Sequence, residues 1–158
     1  MTEQEFRIKY SKLMDDSQAL EDELKRYYAL CNSKDLSDYW DIWNNKLGDS
    51  SFGQLLNLFK GKKYKKQFTD KFYSDLLKAK DIRNYYAHHV FLKCHFKKGL
   101  VPKIHENKLR DDYIFINNMY HDVVSLHQWK IDDNHRKHKV LKPNFERQIA
   151  EIQKYLIK

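Results

Sequence analysis

Apolar side chains recur from the start of the chain at helical spacing. Phe6, Tyr10, Leu13, Ser17, Leu20, Leu24 and Tyr27 follow alternating steps of four and three, the seam of an amphipathic helix with coiled-coil-like packing. The pattern predicts one long first helix of about 25 residues that ends near Cys31 and Asn32. A shorter segment over 36–47 carries Tyr39, Trp40, Ile42 and Trp43. GDSS then supplies turn and capping chemistry for a short helix over SFGQLLNLFK, which Gly61 closes. A third long helix is expected over 67–96, capped near Thr69, before Gly99 and Pro102 break the pattern. Helical periodicity returns over 107–130 through Leu109, Tyr113, Ile116, Tyr120, Val123, Val124 and His127. The polar, basic stretch KIDDNHRKHKVLK reads as a loop, and Pro143 suits the first turn of a last helix to Lys158.

The chain has only four glycines and two prolines, and β-branched alternating runs are scarce. These features predict an all-α bundle of four to five helices in one domain spanning residues 1–158, large enough to bury a core without covalent staples. Cys31 and Cys94 are too few for a disulfide framework, so a reducing, cytoplasmic setting is expected. No signal segment is read in MTEQEFRIKY, and no uncharged apolar run reaches the roughly 18 residues of a membrane span.

Charge changes the picture. The formal net charge is +8, yet residues 1–24 hold seven carboxylates against three bases, which leaves the remainder strongly basic. A polyanionic partner is one consequence to test. The run KGKKYKK sets Lys60, Lys62, Lys63, Lys65 and Lys66 around Tyr64 in a helix–helix link. It can guide a phosphate backbone, with Tyr64 stacking on a base, or it is simply a solvated loop.

The third helix contains the least ordinary stretch, DIRNYYAHHVF. In projection Ile82, Tyr86 and Val90 continue the core stripe of Phe68, Phe72, Leu76 and Ala79, and Arg83 falls into it. Asn84 and His88 lie one turn apart on another side with Tyr73, Leu77 and Phe91, so the helix is apolar on two sides and the second is a candidate for a partner subunit. His89, beside Ile82 and Phe96, reads mainly as a packed histidine. Arg83 and His88 do not face each other within one helix, but two copies meeting across a twofold axis would line one cleft with both. The competing reading pairs Arg83 with a first-helix carboxylate such as Asp15, Asp16 or Glu23. Histidines and cysteine between 88 and 95 lack metal-ligand spacing, and no metal or cofactor is expected.

Read as R-N-x-x-x-H, the segment RNYYAH resembles the signature of the HEPN superfamily, in which Arg is followed by a small polar residue and, after a short gap, by His. Asn follows Arg, Ala precedes His, aromatics flank both, and the first helix and FGQLLNLFK segment are similar to bacterial HEPN proteins over most of residues 1–130. The resemblance implies a dimeric helical bundle and, for many members, a metal-independent ribonuclease acting as a toxin or in antiphage defence. It implies RNA as substrate, a homodimer, an antitoxin protein as further partner and no membrane. Arg83, Asn84 and His88 would carry catalysis, with His89 as the alternative histidine. Tyr85, inside the motif, and the lysines with Tyr64 would contact RNA. The other implied outcome is a non-catalytic HEPN-like module that binds RNA, a nucleotide or a protein. Members silenced by adenylylation carry a tyrosine two residues after the motif histidine; Val90 stands there, so that control is not expected.

Overall fold

A computed structural model describes residues 1–90 and 99–137, together with Ala150 and Lys154. The described residues form an all-helical bundle, with one isolated antiparallel bridge between Thr2 and Leu100. Helix α1 spans Glu3–Asn32 and opens with a capping box, because the Thr2 hydroxyl accepts from the Glu5 amide and the Glu5 carboxylate accepts from the Thr2 amide. Its seam is the predicted one: Phe6, Leu13, Ser17, Leu20, Leu24 and Tyr27 are buried. Each fully buried leucine contributes about 1.5–3 kcal/mol.

The 36–47 segment divides into α2, Leu36–Trp40, and a π-helical turn, Asp41–Lys46, where Leu47 donates to Ile42 at 2.9 Å. Gly48 ends that turn, and a Cβ there would lie 2.3 Å from the Asn44 carbonyl oxygen, so the close approach requires glycine. Helix α3, Phe52–Leu58, has Ser51 as its N-cap, but it stops before Gly61, which begins a single 3₁₀ turn at Lys62–Tyr64.

Helix α4 is Asp70–His88, with the Thr69 hydroxyl accepting from the Phe72 amide at 3.2 Å. His89 closes it by donating its backbone N–H to Tyr85 at 2.8 Å. The helix expected over 67–96 thus starts later, since 67–69 form a turn and the N-cap, and its part over 91–96 lies outside the described residues. Leu76, Ala79, Ile82 and Tyr86 form the buried stripe. The second side is covered in its first half from within the chain: α3 packs there, Tyr73 and Leu77 join the core, and the Tyr73 hydroxyl donates to Leu56 O at 3.0 Å. The expected partner-facing apolar side therefore shrinks to the part around Asn84 and His88.

Helix α5 runs over Lys103–Lys137, longer at both ends than the 107–130 pattern. Pro102 starts it, its carbonyl accepting from His105 and Glu106. The stretch read as a loop is helical through Lys137, because Ile131 packs against the core, Asp133 is buried, and Arg136 lies 3.9 Å from Asp133 one turn on. The last helix expected over 143–158 lies outside the described residues, apart from Ala150 and Lys154, which are helical.

Helices α1 and α5 form the principal pair, with α4 packed on both. Gly99, at φ +70°, turns the chain so that its carbonyl accepts from Glu3 N at 2.8 Å and ties the start of α1 to the segment before α5. Among the described residues no helix is long and apolar enough to cross a membrane.

Candidate functional site

The last two turns of α4 carry the motif. Arg83 is half-buried at the edge of the core stripe, and its Nη1 donates to Asn84 Oδ1 at 3.3 Å. It makes no salt bridge among the described residues, so Asp15, Asp16 and Glu23 are not its partners. The carboxylate that feels its charge is Glu21. Burial pushes the Glu21 carboxyl above its ordinary range, and Lys25 and Arg83 pull it only part of the way back. Lys25 stands 3.8 Å from Glu21 and donates to Gly48 O at 3.3 Å.

Asn84 is half-buried, and His88, one turn on, is exposed. His89 is exposed as well, its ring centre 6.2 Å from that of His88, so it is not the packed histidine expected from its place beside Ile82. The helix has ended at His88, and His89 has left the geometry that projection assumed. Both rings are open to a ligand. Tyr86 packs as expected, buried, with its hydroxyl donating to Asp112 at 2.8 Å. Tyr85 is half-buried, at right angles to Tyr86 and with the Lys108 ammonium 4.6 Å from its ring centre. A base on that face would have to displace or share Lys108.

The lysine run divides. Lys60, Lys62, Lys63, Lys65 and Lys66 are exposed, and Lys63 is anchored to Cys31 O at 3.2 Å and Asn32 Oδ1 at 2.8 Å. Tyr64 is not available for stacking on a base. It is only 6 % exposed, wedged edge-on against Phe59 and Phe68, and its hydroxyl accepts from Asn32 Nδ2 at 2.8 Å. Burial pushes its hydroxyl up to about 12.

One charged constellation was not anticipated. Glu23, Arg26 and His127 are buried together, Glu23 bonding to Arg26 through Oε1 and lying 3.0 Å from His127 Nδ1 through Oε2. The Arg26 guanidinium also sits 5.3 Å from the Trp43 ring centre, so the π turn lids the cluster. Burial alone would raise the Glu23 carboxyl, but His127 and Arg26 together hold it below its ordinary value. The available signal was His127 itself, a histidine in the apolar register of the 107–130 pattern. Among the described residues no three His, Cys, Asp or Glu side chains are grouped to hold a metal ion.

No family model matches the chain, and neither a curated protein nor a solved structure does. What the chain can do therefore has to be argued from its groups. Arg83 offers a planar fork of donors for phosphate oxygens, and His88 can exchange a proton. Five residues separate them, about 7.5 Å along the axis and about 140° around it, so one chain does not aim both at one atom.

Proposed function

We propose that the chain acts as a homodimeric, metal-independent endoribonuclease of HEPN type. The observation that supports this best is the state of Arg83: half-open, without a carboxylate partner among the described residues, and held by Asn84, which lies one turn from an exposed His88. A buried or half-buried guanidinium is usually neutralised by an ion pair, and a phosphate is the complementary ligand. The angle between Arg83 and His88 makes a second copy necessary, so that each cleft takes groups from two chains.

In the reaction, His88 takes the proton of a ribose 2′-hydroxyl as its oxygen attacks the adjacent phosphorus. Arg83 donates to the equatorial oxygens as charge builds on the phosphorane, and Asn84 fixes the guanidinium. The bond to the 5′-oxygen breaks, that oxygen takes a proton from an imidazolium, and the products are a 2′,3′-cyclic phosphate and a 5′-hydroxyl end. His89 is the alternative base. The exposed lysines of the 60–66 run guide the strand. Such an activity suits a cytoplasmic toxin or antiphage effector restrained by an antitoxin protein.

The test incubates wild type, Arg83→Ala, His88→Ala and His89→Ala with single-stranded and structured RNA in excess chelator. Cyclic-phosphate ends that vanish with Arg83→Ala and with one histidine variant, in proteins that still melt like wild type, support the proposal. Intact RNA that is nonetheless bound tightly refutes it and favours a non-catalytic module, a reading consistent with the divergence of Arg83 and His88 within one chain.

A further inference from the structure

A second cationic site lies on the α1–α5 pair, away from the motif. On α5, Lys108 and Asp112 face α4 through Tyr85 and Tyr86, and on α1 Tyr10 does the same. The other flank holds a cleft of about 290 Å³, with Leu109 and Tyr113 beneath Lys9, Lys12 and Arg110. This volume is at the small end of ligand pockets, which run from about 300 to 1,000 Å³.

The cleft's chemistry is two-sided. Leu109 is buried and Tyr113 half-buried, an apolar and aromatic base suited to a planar group. Lys9 and Lys12 are exposed and have no carboxylate within salt-bridge distance among the described residues. The Lys12 ammonium is placed 5.2 Å from the Tyr113 ring centre, and its contact with Tyr113 favours the charged form. Among the described residues Arg110 pairs with the exposed Asp111, at 3.5 Å, a contact worth little in water. Glu106, the carboxylate among the described lining residues, is already engaged by Lys103 at 3.3 Å and by the Met1 ammonium at 3.5 Å. The ammonium of Lys9 and that of Lys12, held among the described residues only by Tyr113, match a dianion, and the guanidinium adds the fork that distinguishes phosphate oxygens.

We propose that this cleft binds a phosphate monoester carried by a planar ring, a nucleoside 5′-phosphate either free or at the end of a strand. The phosphate lies among Lys9, Lys12 and Arg110 and draws Lys12 off the Tyr113 ring, and the base takes the ring face that Lys12 leaves. The inference does not rest on the ribonuclease reading, since none of these side chains belongs to the α4 motif.

Calorimetric titration of the intact protein tests it with five probes: AMP, adenosine, inorganic phosphate, and a tetradeoxynucleotide in two forms, with a 5′-phosphate and with a 5′-hydroxyl. The deoxy strand lacks the 2′-hydroxyl, so cleavage cannot interfere. AMP should bind at least about tenfold more tightly than adenosine or phosphate alone. A Lys9→Ala/Lys12→Ala variant with an unchanged melting temperature should lose about tenfold in AMP affinity, while His88→Ala binds as wild type. Tighter binding of the 5′-phosphorylated strand than of AMP assigns the site to strand ends, and the reverse assigns it to the free nucleotide. Equal binding of AMP and adenosine, no saturable AMP binding at millimolar concentration, or affinity unaffected by the lysine substitutions overturns the proposal.

Discussion

Glu21 and Glu23 stand two positions apart on α1, both buried, and replacing each by glutamine should move stability in opposite directions. Glu23 is 3 % exposed, bonded to Arg26 and His127, and its carboxylate form is favoured despite burial. Glutamine keeps the shape but removes the anion and leaves the Arg26 charge buried without its counterion. Breaking a buried pair this way costs about 3–5 kcal/mol. For a chain of this size that lowers Tm by roughly 6–20 °C. Glu21 is the converse case: its Oε2 has no hydrogen-bond partner, Lys25 is no nearer than 3.8 Å, and burial outweighs its charge partners. Glutamine there removes a charge that the folded state disfavours, while Lys25 keeps its bond to Gly48 O. The expected change is at most about 1 kcal/mol, on the stabilising side at pH 7.

The pH dependence follows from the signs. Glu23, depressed in the folded state, contributes stability that is present above its unfolded value of about 4.3 and is lost as pH falls through its folded value. Glu21, raised, costs nothing below about 4.3, and its penalty grows as pH rises from there to its folded value. Thermal melts at pH 7 and pH 4, followed by circular dichroism, should show the Glu21→Gln gain vanishing in acid, whereas the Glu23→Gln loss begins to shrink only near pH 4. Losses of similar size at both positions at pH 7 would refute the reasoning.

Ser51→Ala removes the capping box at the head of α3 and should cost about 1 kcal/mol in urea unfolding. Gly48→Ala, forced against the Asn44 carbonyl, should cost about 1–3 kcal/mol, measured the same way. Tyr64→Phe loses the bond from Asn32 and about 1 kcal/mol of stability, yet leaves RNA affinity unchanged, because the ring is packed rather than presented. Neutralising Lys60, Lys62, Lys65 and Lys66 should flatten the log–log salt dependence of RNA binding by about 0.7 for each phosphate left without its lysine; an unchanged slope would free the run from any RNA role.

Most of the helical order could be read from the sequence, because it depends on period and punctuation. The α1 seam, its end at Asn32, the Ser51 and Thr69 caps and the packing of Tyr86 all follow from local rules. Errors arise where tertiary packing overrides composition. KIDDNHRK looks like a loop by polarity, but it is helix because Ile131 packs against the core and Asp133 is buried as well, on another side of the helix. The base-stacking role fails for Tyr64 for the same reason: neighbouring lysines say nothing about Phe59 and Phe68 closing over the ring. For the candidate site, the sequence supplies Arg83, Asn84 and His88 but not their surroundings. Glu23 and Arg26 are separated from His127 by about a hundred positions, and no local pattern joins them.

That unforeseen cluster bears on the motif. Glu21 and Glu23 are about 200° apart around α1, so they serve different neighbours. Tyr10 marks the α1 flank that meets α4, and Glu21 lies three turns further along it. Glu23 points instead to α5, where His127 takes one of its oxygens, while Arg26 of α1 takes the other. Glu23, one of the three carboxylates that the sequence offered to Arg83, is thus committed elsewhere by geometry, and among the described residues Asp15 and Asp16 make no salt bridge with Arg83 either. Glu21, whose ionisation Arg83 favours, is a poor counterion because burial opposes its charge. Among the described residues Arg83 therefore has no carboxylate partner, and Asn84 alone bonds its guanidinium. On the proposed reading, that cation is what a phosphate would meet at the surface.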